Sequence, residues 1–588
     1  MRAIVLVCIA LVITGVAMAA DLPTPHELAP DTTPRYAETM EWCRTLASRH
    51  PTVTVADFGT SPEGRDLPLV IWDRDGLHTP DLVHRAGRTV LLVEACIHAG
   101  ESCGKDAGMI WLRDLAEQGG PADVTVLFIP IFNVDGHERF GPHNRVNQNG
   151  PREMGWRVTA QNLNLNRDFL KADAPEMQSW LALWNLWRPH FFVDIHSTDG
   201  ADYQYVITYG LELRGNLDQG LTDWTADYLA VMETGLADAG FPLSPYVSFR
   251  RWHDPRSGIK AWVAGPRYSQ GYAAVRNRPG LLIETHMLKP YPVRVEATRI
   301  MLEESLKHLA VHGADLRHRA AVADQHAASA TFRAEPLPLR WQDGEQARPF
   351  RFLGVAYEQV TSELSGGEYF IYHGDQPETC TVDFFDQPQV AVSAAVPEAY
   401  LIPAQWTTVI DRLRWHDVRL ERLTESVSLA VDGWRLDDCS WRQRPYEGRH
   451  TVNYTARPVR ERREFPAGTW VVDTAQPAAR AIVHLLDPAA PDALLRWGFF
   501  NAQLTRVEYV ESYVIEAMMK EMVAADPTLV DSLAAAKARD RDFAADPRAI
   551  REWFFRQTPY YDERAFLYPV AAVFDRDEVE AMPRAGAE

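Results

Sequence analysis

Cysteine is scarce: six residues in a chain of 588. Cys8 lies in an apolar run at the start. The other five, Cys43, Cys96, Cys103, Cys380 and Cys439, are scattered and odd in number. That excludes a disulfide framework, and none of them has metal-pair spacing. An oxidising compartment leaves room for one disulfide, without saying which two residues it joins. Basic charge is also in short supply. Lys and Arg number 60 against 80 Asp and Glu, a formal net charge of −20. Nucleic acid as a partner is thereby disfavoured, because phosphate binding needs clustered Lys and Arg. The acidity is spread along the chain rather than gathered in a tail, which suits solubility. Internal repeats and low-complexity tracts are lacking, and after the first twenty residues so is any run long enough to span a bilayer.

The first twenty residues are different. Arg2 gives a positive start, residues 3–16 are apolar apart from Thr14 and Gly15, and Ala17-Met18-Ala19 follows as a small-x-small site. A membrane span needs about twenty apolar residues, and this run is shorter. It reads as a signal peptide cleaved after Ala19 or Ala20, with no stable membrane insertion afterwards. The expected location is secreted or periplasmic.

The length exceeds one ordinary domain, and 46% hydrophobic residues supply a large core. Continuous apolar runs at 89–97, 124–132, 190–195 and 280–284 read as strands buried on both faces. Helical patterns over 36–48, 107–118, 175–187 and 295–312 alternate with them. The expected fold is α/β, a mixed, mainly parallel sheet flanked by helices. The pattern changes after about 320. Residues 321–330 are Ala-rich and read as a linker. Residues 331–475 have short β segments with frequent Pro, Gly and Trp, and 476–588 contain helical stretches. The division expected is a signal peptide at 1–20, an α/β domain at 21–320, a β-rich accessory domain at 331–475 and an α-containing region at 476–588.

Three short segments carry chemistry. His98-Ala99-Gly100-Glu101 directly follows a buried strand, where sites form in open α/β sheets. A His and a Glu three apart on such a turn can face one point, and both are good zinc ligands. Alone, the pair is usually a surface turn. His196 ends another hydrophobic strand, and a lone strand-end His is usually structural. Glu284 follows four apolar residues, where an unpaired carboxylate is costly. An ion pair with Arg276 or Arg278 is its bland reading. Together the three change the odds. Two histidines and a carboxylate form a catalytic zinc set with a fourth position open, and a second carboxylate supplies acid–base chemistry.

In this order and context, the sequence resembles the zinc metallocarboxypeptidases of the carboxypeptidase A type. Asn133-Val134-Asp135-Gly136 and Asn164-Leu165-Asn166-Arg167-Asp168-Phe169 stand where that family has Asn-Pro-Asp-Gly and Asp-Leu-Asn-Arg-Asn-Phe. Residues 59–65 look like its Gly-x-Ser-x-x-Gly-Arg segment. The resemblance covers 36 to about 315. It implies one zinc ion held by His98, Glu101 and His196, with Glu284 as general base and acid. It implies Asn166 and Arg167 as the grip on the substrate's terminal carboxylate. For the oxyanion, Arg145, Arg152 and Arg157 all compete, and Arg145 fits best. For the closing tyrosine, Tyr268 and Tyr272 compete, with Tyr272 preferred. Two departures stand out: Asn164 where the family has the Asp that orients the first zinc His, and Gly100 where the digestive enzymes have an Arg.

The activity implied is removal of C-terminal residues from peptides bearing a free carboxylate. A zinc amidase cutting γ-D-glutamyl bonds in cell-wall peptides stays open as an alternative. So does a non-catalytic periplasmic peptide- or sugar-binding protein, using Trp406, Trp415, Trp434, Trp441 and Trp470 as stacking platforms. Oligomeric state is not legible.

Overall fold

The computed structural model describes residues 22–586, so the expected signal peptide at 1–20 lies outside the described residues. The first seven strands are β1 (Val53–Thr60), β2 (Asp66–Asp73), β3 (Thr89–Ala95), β4 (Val124–Ile129), β5 (Phe191–Thr198), β6 (Ile207–Leu211) and β7 (Ser244–Pro245). Two short strands follow, β8 (Ser248–Phe249) and β9 (Ile259–Lys260), and then β10 (Gly280–His286). Eight of these form one sheet in the order β1-β2-β4-β3-β5-β10-β6-β7. Its centre, β4-β3-β5-β10, is parallel. Antiparallel pairs, β1 with β2, β2 with β4 and β10 with β6, flank that centre. The expected mixed, mainly parallel sheet is present.

The uniform apolarity of β3 and β4 follows from cover on both faces. One face packs on α1 (Tyr36–Arg49), α2 (Cys103–Gln118), α4 (Gln219–Asp238) and α6 (Tyr291–Ala327), through Leu46, Met109, Tyr228 and Met301. The other packs on α3 (Pro175–Trp187) and α5 (Ser269–Val275), through Trp180, Trp184 and Tyr272. That second core continues without a break into the C-terminal half, reaching Tyr400, Ile482 and Tyr568.

Two sequence expectations are corrected here. The Ala-rich stretch 321–330 is no linker. α6 runs for 37 residues to Ala327, and Ala320, Ala323 and Ala327 form its buried stripe. Alanine is the strongest helix former and lets helices approach closely, so its abundance marks packing here, not flexibility. Nor do residues 476–588 stand apart from 331–475. The strands β11 (Leu337–Gln342), β12 (Arg348–Thr361), β13 (Glu368–Phe385), β14 (Gln389–Ala394), β15 (Ala399–Ile402), β16 (Glu421–Arg422), β17 (Val427–Trp441), β18 (Val452–Phe465) and β19 (Trp470–Asp473) are joined by β20 (Ala571–Val573). β20 inserts between β15 and β17 in the six-stranded sheet β16-β19-β15-β20-β17-β18. A division at 475 cuts through that sheet. The helices α7 (Thr407–Trp415) and α8 (Ala479–Leu486) belong to the same unit, and every residue of α8 is buried.

The hairpin β12–β13 reaches back to the first half. It forms a four-stranded sheet, β12-β13-β9-β8, with the segment after β7. Tyr203, Tyr205, Ile259, Phe352, Val382 and Phe384 fill its core. The five described cysteines are all free, and Cys43, Cys96 and Cys103 are buried. Of the five tryptophans weighed as a sugar platform, Trp470 is buried and Trp406, Trp415 and Trp434 pack against the core, which leaves Trp441 exposed.

Candidate active site

The parallel centre of the sheet brings three strand ends together. His196 of β5 and Glu284 of β10 are direct register partners, so their side chains rise from the same face. β3 ends beside them. There the chain turns through Cys96, a non-glycine residue at φ 60°. Such left-handed backbone is costly and persists only where the surroundings hold it. Glu101 N–H then donates to His98 O at 2.9 Å, closing a turn that aims both side chains at one point. Asn133 braces it, reaching Ile97 O at 3.5 Å and Arg157 O at 3.3 Å. Asp135 of the same segment accepts from Ser61 at 2.7 Å and Arg65 at 2.6 Å, so two motif segments distant in sequence are bonded in space.

One ligand atom each from His98, Glu101 and His196 lie within 4.8 Å of one another. The two Nδ1 atoms face each other at 3.2 Å. Glu101 Oε1 is 3.2 Å from His98 Nδ1, and Oε2 is 3.1 Å from His196 Nδ1. A tetrahedral zinc ion with bonds of about 2.0–2.1 Å sets its ligands about 3.3 Å apart. Both the donor set and its spacing therefore fit zinc. The outer nitrogens are held as metal-ligating imidazoles require. His98 Nε2 meets Asn164 Oδ1 at 3.1 Å, and His196 Nε2 meets Asp194 Oδ2 at 2.7 Å. One ring is thus held by a neutral amide and the other by a carboxylate. Asp194 pairs in register with Glu94 on β3. Burial, with the neighbouring Asp194, pushes the Glu94 carboxyl well above its usual range.

Burial lowers the His98 ring to about 4, the neutral state a metal needs. Burial also pushes the His196 ring down, but the Asp194 carboxylate outweighs it and holds that pKa well above the usual value. For Glu101, burial raises the carboxyl, while Arg145 and His98 overcome it and hold it well below. Arg145 donates to Glu101 Oε1 at 2.6 Å, and Arg157 lies 3.4 Å from the same atom. Glu284 keeps some exposure to the cavity, yet the protein packed around it pushes its carboxyl up to about 8. Its Oε2 has no hydrogen-bond partner. The bland reading of Glu284 does not hold: Arg276 bonds Tyr272 and Asn185, and Arg278 bonds Asp324.

His98, Glu101, Arg145, Arg157, His196 and Glu284 line a cavity of about 720 Å3 together with Asn166, Arg167, Tyr246, Trp262, Tyr268 and Leu282. The expected closing tyrosine, Tyr272, is not among them. It is fully buried, and its hydroxyl bonds His416 at 3.0 Å and Arg276 at 2.8 Å. Tyr268, just outside α5, faces the cavity instead and carries the Arg167 guanidinium 4.4 Å from its ring centre. Tyr246 and Trp262 lie in a segment with no motif, and sequence reasoning missed them. Gly100 has no room for a side chain, since a Cβ there would meet Gly155 O at 2.6 Å and Arg145 Cγ at 2.7 Å.

The zinc carboxypeptidase family model matches residues 39–205. Carboxypeptidase 2 of Trichophyton tonsurans is 23% identical over 516 residues, covering 81% of this chain and 88% of its own length. Carboxypeptidase 2 of Trichophyton rubrum is 21% identical over 485 residues, covering 79% and 84%. Among solved structures, a putative carboxypeptidase A from Shewanella denitrificans aligns at a TM-score of 0.36 and 19% identity, over 49% of this chain and 71% of the other. The carboxypeptidase A of Helicoverpa armigera aligns at 0.36 and 16%, over 50% and 75%. Residues 39–205 of this chain thus match the zinc carboxypeptidase family.

Proposed function

We propose that the chain removes C-terminal residues from peptides in the cavity between His196, Glu284 and Arg167. One observation carries the reading: His196 and Glu284 occupy partnered positions on β5 and β10, and the His98–Glu101 turn and Arg167 open into the same cavity. In this reading His98 Nδ1, the Glu101 carboxylate and His196 Nδ1 hold one zinc ion. Zinc held there would supply a Lewis acid for the scissile carbonyl and would lower the pKa of a bound water.

Glu284 accepts a proton from the attacking water and later delivers it to the leaving amine. Its unpartnered Oε2 is free for that transfer. Arg157 supplies the positive charge for the oxyanion in place of Arg145. Arg145 is committed to Glu101 at 2.6 Å with a side chain only 9% exposed, whereas that of Arg157 is 43% exposed. Asn166 and Arg167 read the substrate carboxylate, a task suited to the planar guanidinium fork. Residues 1–20 support an exported enzyme, secreted or periplasmic. Among the described residues, no helix is long and apolar enough to cross a membrane.

The test is a digest of a mixed peptide library, with cell-wall peptides included, read by mass spectrometry. Loss of single C-terminal residues is expected, with C-terminally amidated peptides spared and a chelator stopping the reaction until zinc is restored. Internal cleavage alone, or activity that survives metal removal, would overturn the proposal. Cleavage confined to γ-D-glutamyl peptides would assign the same centre to cell-wall substrates.

A further inference from the structure

Among the described residues, none lining the catalytic cavity comes from 331–588. Yet this region bonds to the segment that carries Asn166 and Arg167 and to the segment that carries Tyr268, on which Arg167 rests. The first segment runs on from Asn166-Arg167. His416, just after α7, meets Leu170 O at 2.8 Å through Nε2. Arg412 donates to Lys171 O at 3.2 Å and to Asp173 at 3.0 Å, and Arg449 takes both oxygens of Asp173 at 2.6 Å. The second segment surrounds Tyr268. Arg267, its chain neighbour, donates Nε–H to Asp492 at 2.6 Å. Tyr272, one turn on, bonds His416 Nδ1 at 3.0 Å.

The chemistry of His416 defines its state. A carbonyl only accepts, so Nε2 carries the proton, and Nδ1 accepts from the Tyr272 hydroxyl. The Tyr272 oxygen accepts in turn from Arg276. One fully buried neutral ring thus ties the Arg167 segment to the Tyr268 segment. The Trp497 ring adds to this, with Lys171 Nζ 5.6 Å and Arg267 5.0 Å from its centre.

Arg167 itself rests on Tyr268. An arginine side chain has many rotamers, and a two-bonded grip on a carboxylate needs one of them. The aromatic face selects it, provided the ring is held still. Asp492 is 2% exposed and so close to the chain that a Cβ on Gly265 would lie 3.0 Å from its Oδ2. It therefore pins the loop from which Tyr268 projects.

We infer that Asp492 is a positioning residue for substrate recognition, acting through Arg267 and Tyr268 on Arg167, with His416 locking the two segments together. The C-terminal half is then part of the carboxylate pocket without touching the substrate. The inference rests on the reading that Arg167 grips the substrate carboxylate.

The test uses the full-length, zinc-loaded chain and a peptide that the wild type trims. Asp492→Asn is expected to raise KM about tenfold and leave kcat within about twofold. Zinc content and the inhibition constant for acetohydroxamate, which binds metal but has no carboxylate, are expected to stay unchanged. Arg267→Gln should give the same shift, and the double variant no further one, because both act through one chain of contacts. Asp492→Glu should recover part of the loss. If Asp492→Asn fails to fold, Arg267→Gln carries the test alone. An unchanged KM overturns the inference. So does a parallel weakening of acetohydroxamate or a loss of zinc, which marks general damage. Arg167→Lys separates the two claims. If it leaves KM unchanged, the Arg167 reading fails. If it alone raises KM, only the role of Asp492 fails.

Discussion

Glu284 is legible as a residue that should not be where it is. A carboxylate after four apolar residues needs a partner, and the two nearby arginines are engaged elsewhere. What remains is a half-buried acid facing two histidines and Glu101, a setting in which protein pKa values serve catalysis. Replacing it with Gln keeps the shape and removes the proton transfer. Glu284→Gln is expected to lower kcat by about 10^3-fold with one zinc per chain retained, whereas His196→Ala should lose the metal. Metal analysis beside a steady-state assay distinguishes the two. A second buried acid, Glu212, lies outside the site. Burial pushes its carboxyl up to about 8, although it accepts from Ala264 N–H at 2.9 Å. A raised carboxyl pKa means that the folded state holds its proton after the unfolded chain has lost it. Its contribution is therefore present below about 4.5 and declines as pH rises toward about 8. Glu212→Gln should flatten that decline, narrowing the difference in Tm between pH 5 and pH 8 by about 1–3 °C.

At the scale of elements, the central strands and the helices around them follow their sequence patterns closely. β3, β4 and β5 read as continuous apolar runs because helices cover both faces, and an amphipathic α1 reads as such because it has one wet face. The pattern misled where one composition serves two ends. Alanine at 321–330 suits a linker or a close-packed helix, and only the neighbours of α6 decide between them. Close packing also governs α2 against β4. A Cβ on Gly108 would lie 2.2 Å from Phe128 Cζ, and that ring is fully buried. Exposed Gly-to-Ala changes in helices gain up to about 1 kcal/mol. Here the clash wins, and Gly108→Ala is expected to destabilise the chain by about 1–3 kcal/mol in denaturant titration.

At the scale of the molecule, the two halves share one core. Trp180 and Tyr272 from the first half and Tyr400 and Ile482 from the second lie in the same apolar cluster. Ending the chain at residue 329 would expose that face of α3 and α5 and leave Tyr272 without His416. Such a truncation is expected to give at least about fivefold less soluble monomer than the full chain, read by size-exclusion chromatography.

The sequence by itself determined the chemistry. His98 and Glu101 are three residues apart on one turn, His196 and Glu284 end apolar strands, and Asn166-Arg167 are adjacent. These are local patterns, legible one by one, which the pairing of β3, β5 and β10 then brings together. What only the tertiary structure decided concerns residues whose role depends on distant neighbours. Tyr268 and Tyr272 are one helical turn apart and the sequence favours Tyr272, but His416, over 140 residues away, draws Tyr272 into the core. The sequence likewise favours Arg145 over Arg157, but Glu101 engages Arg145 more closely and leaves Arg157 the more accessible. No local pattern records such choices, because they are made by contacts between segments that the chain brings together only on folding.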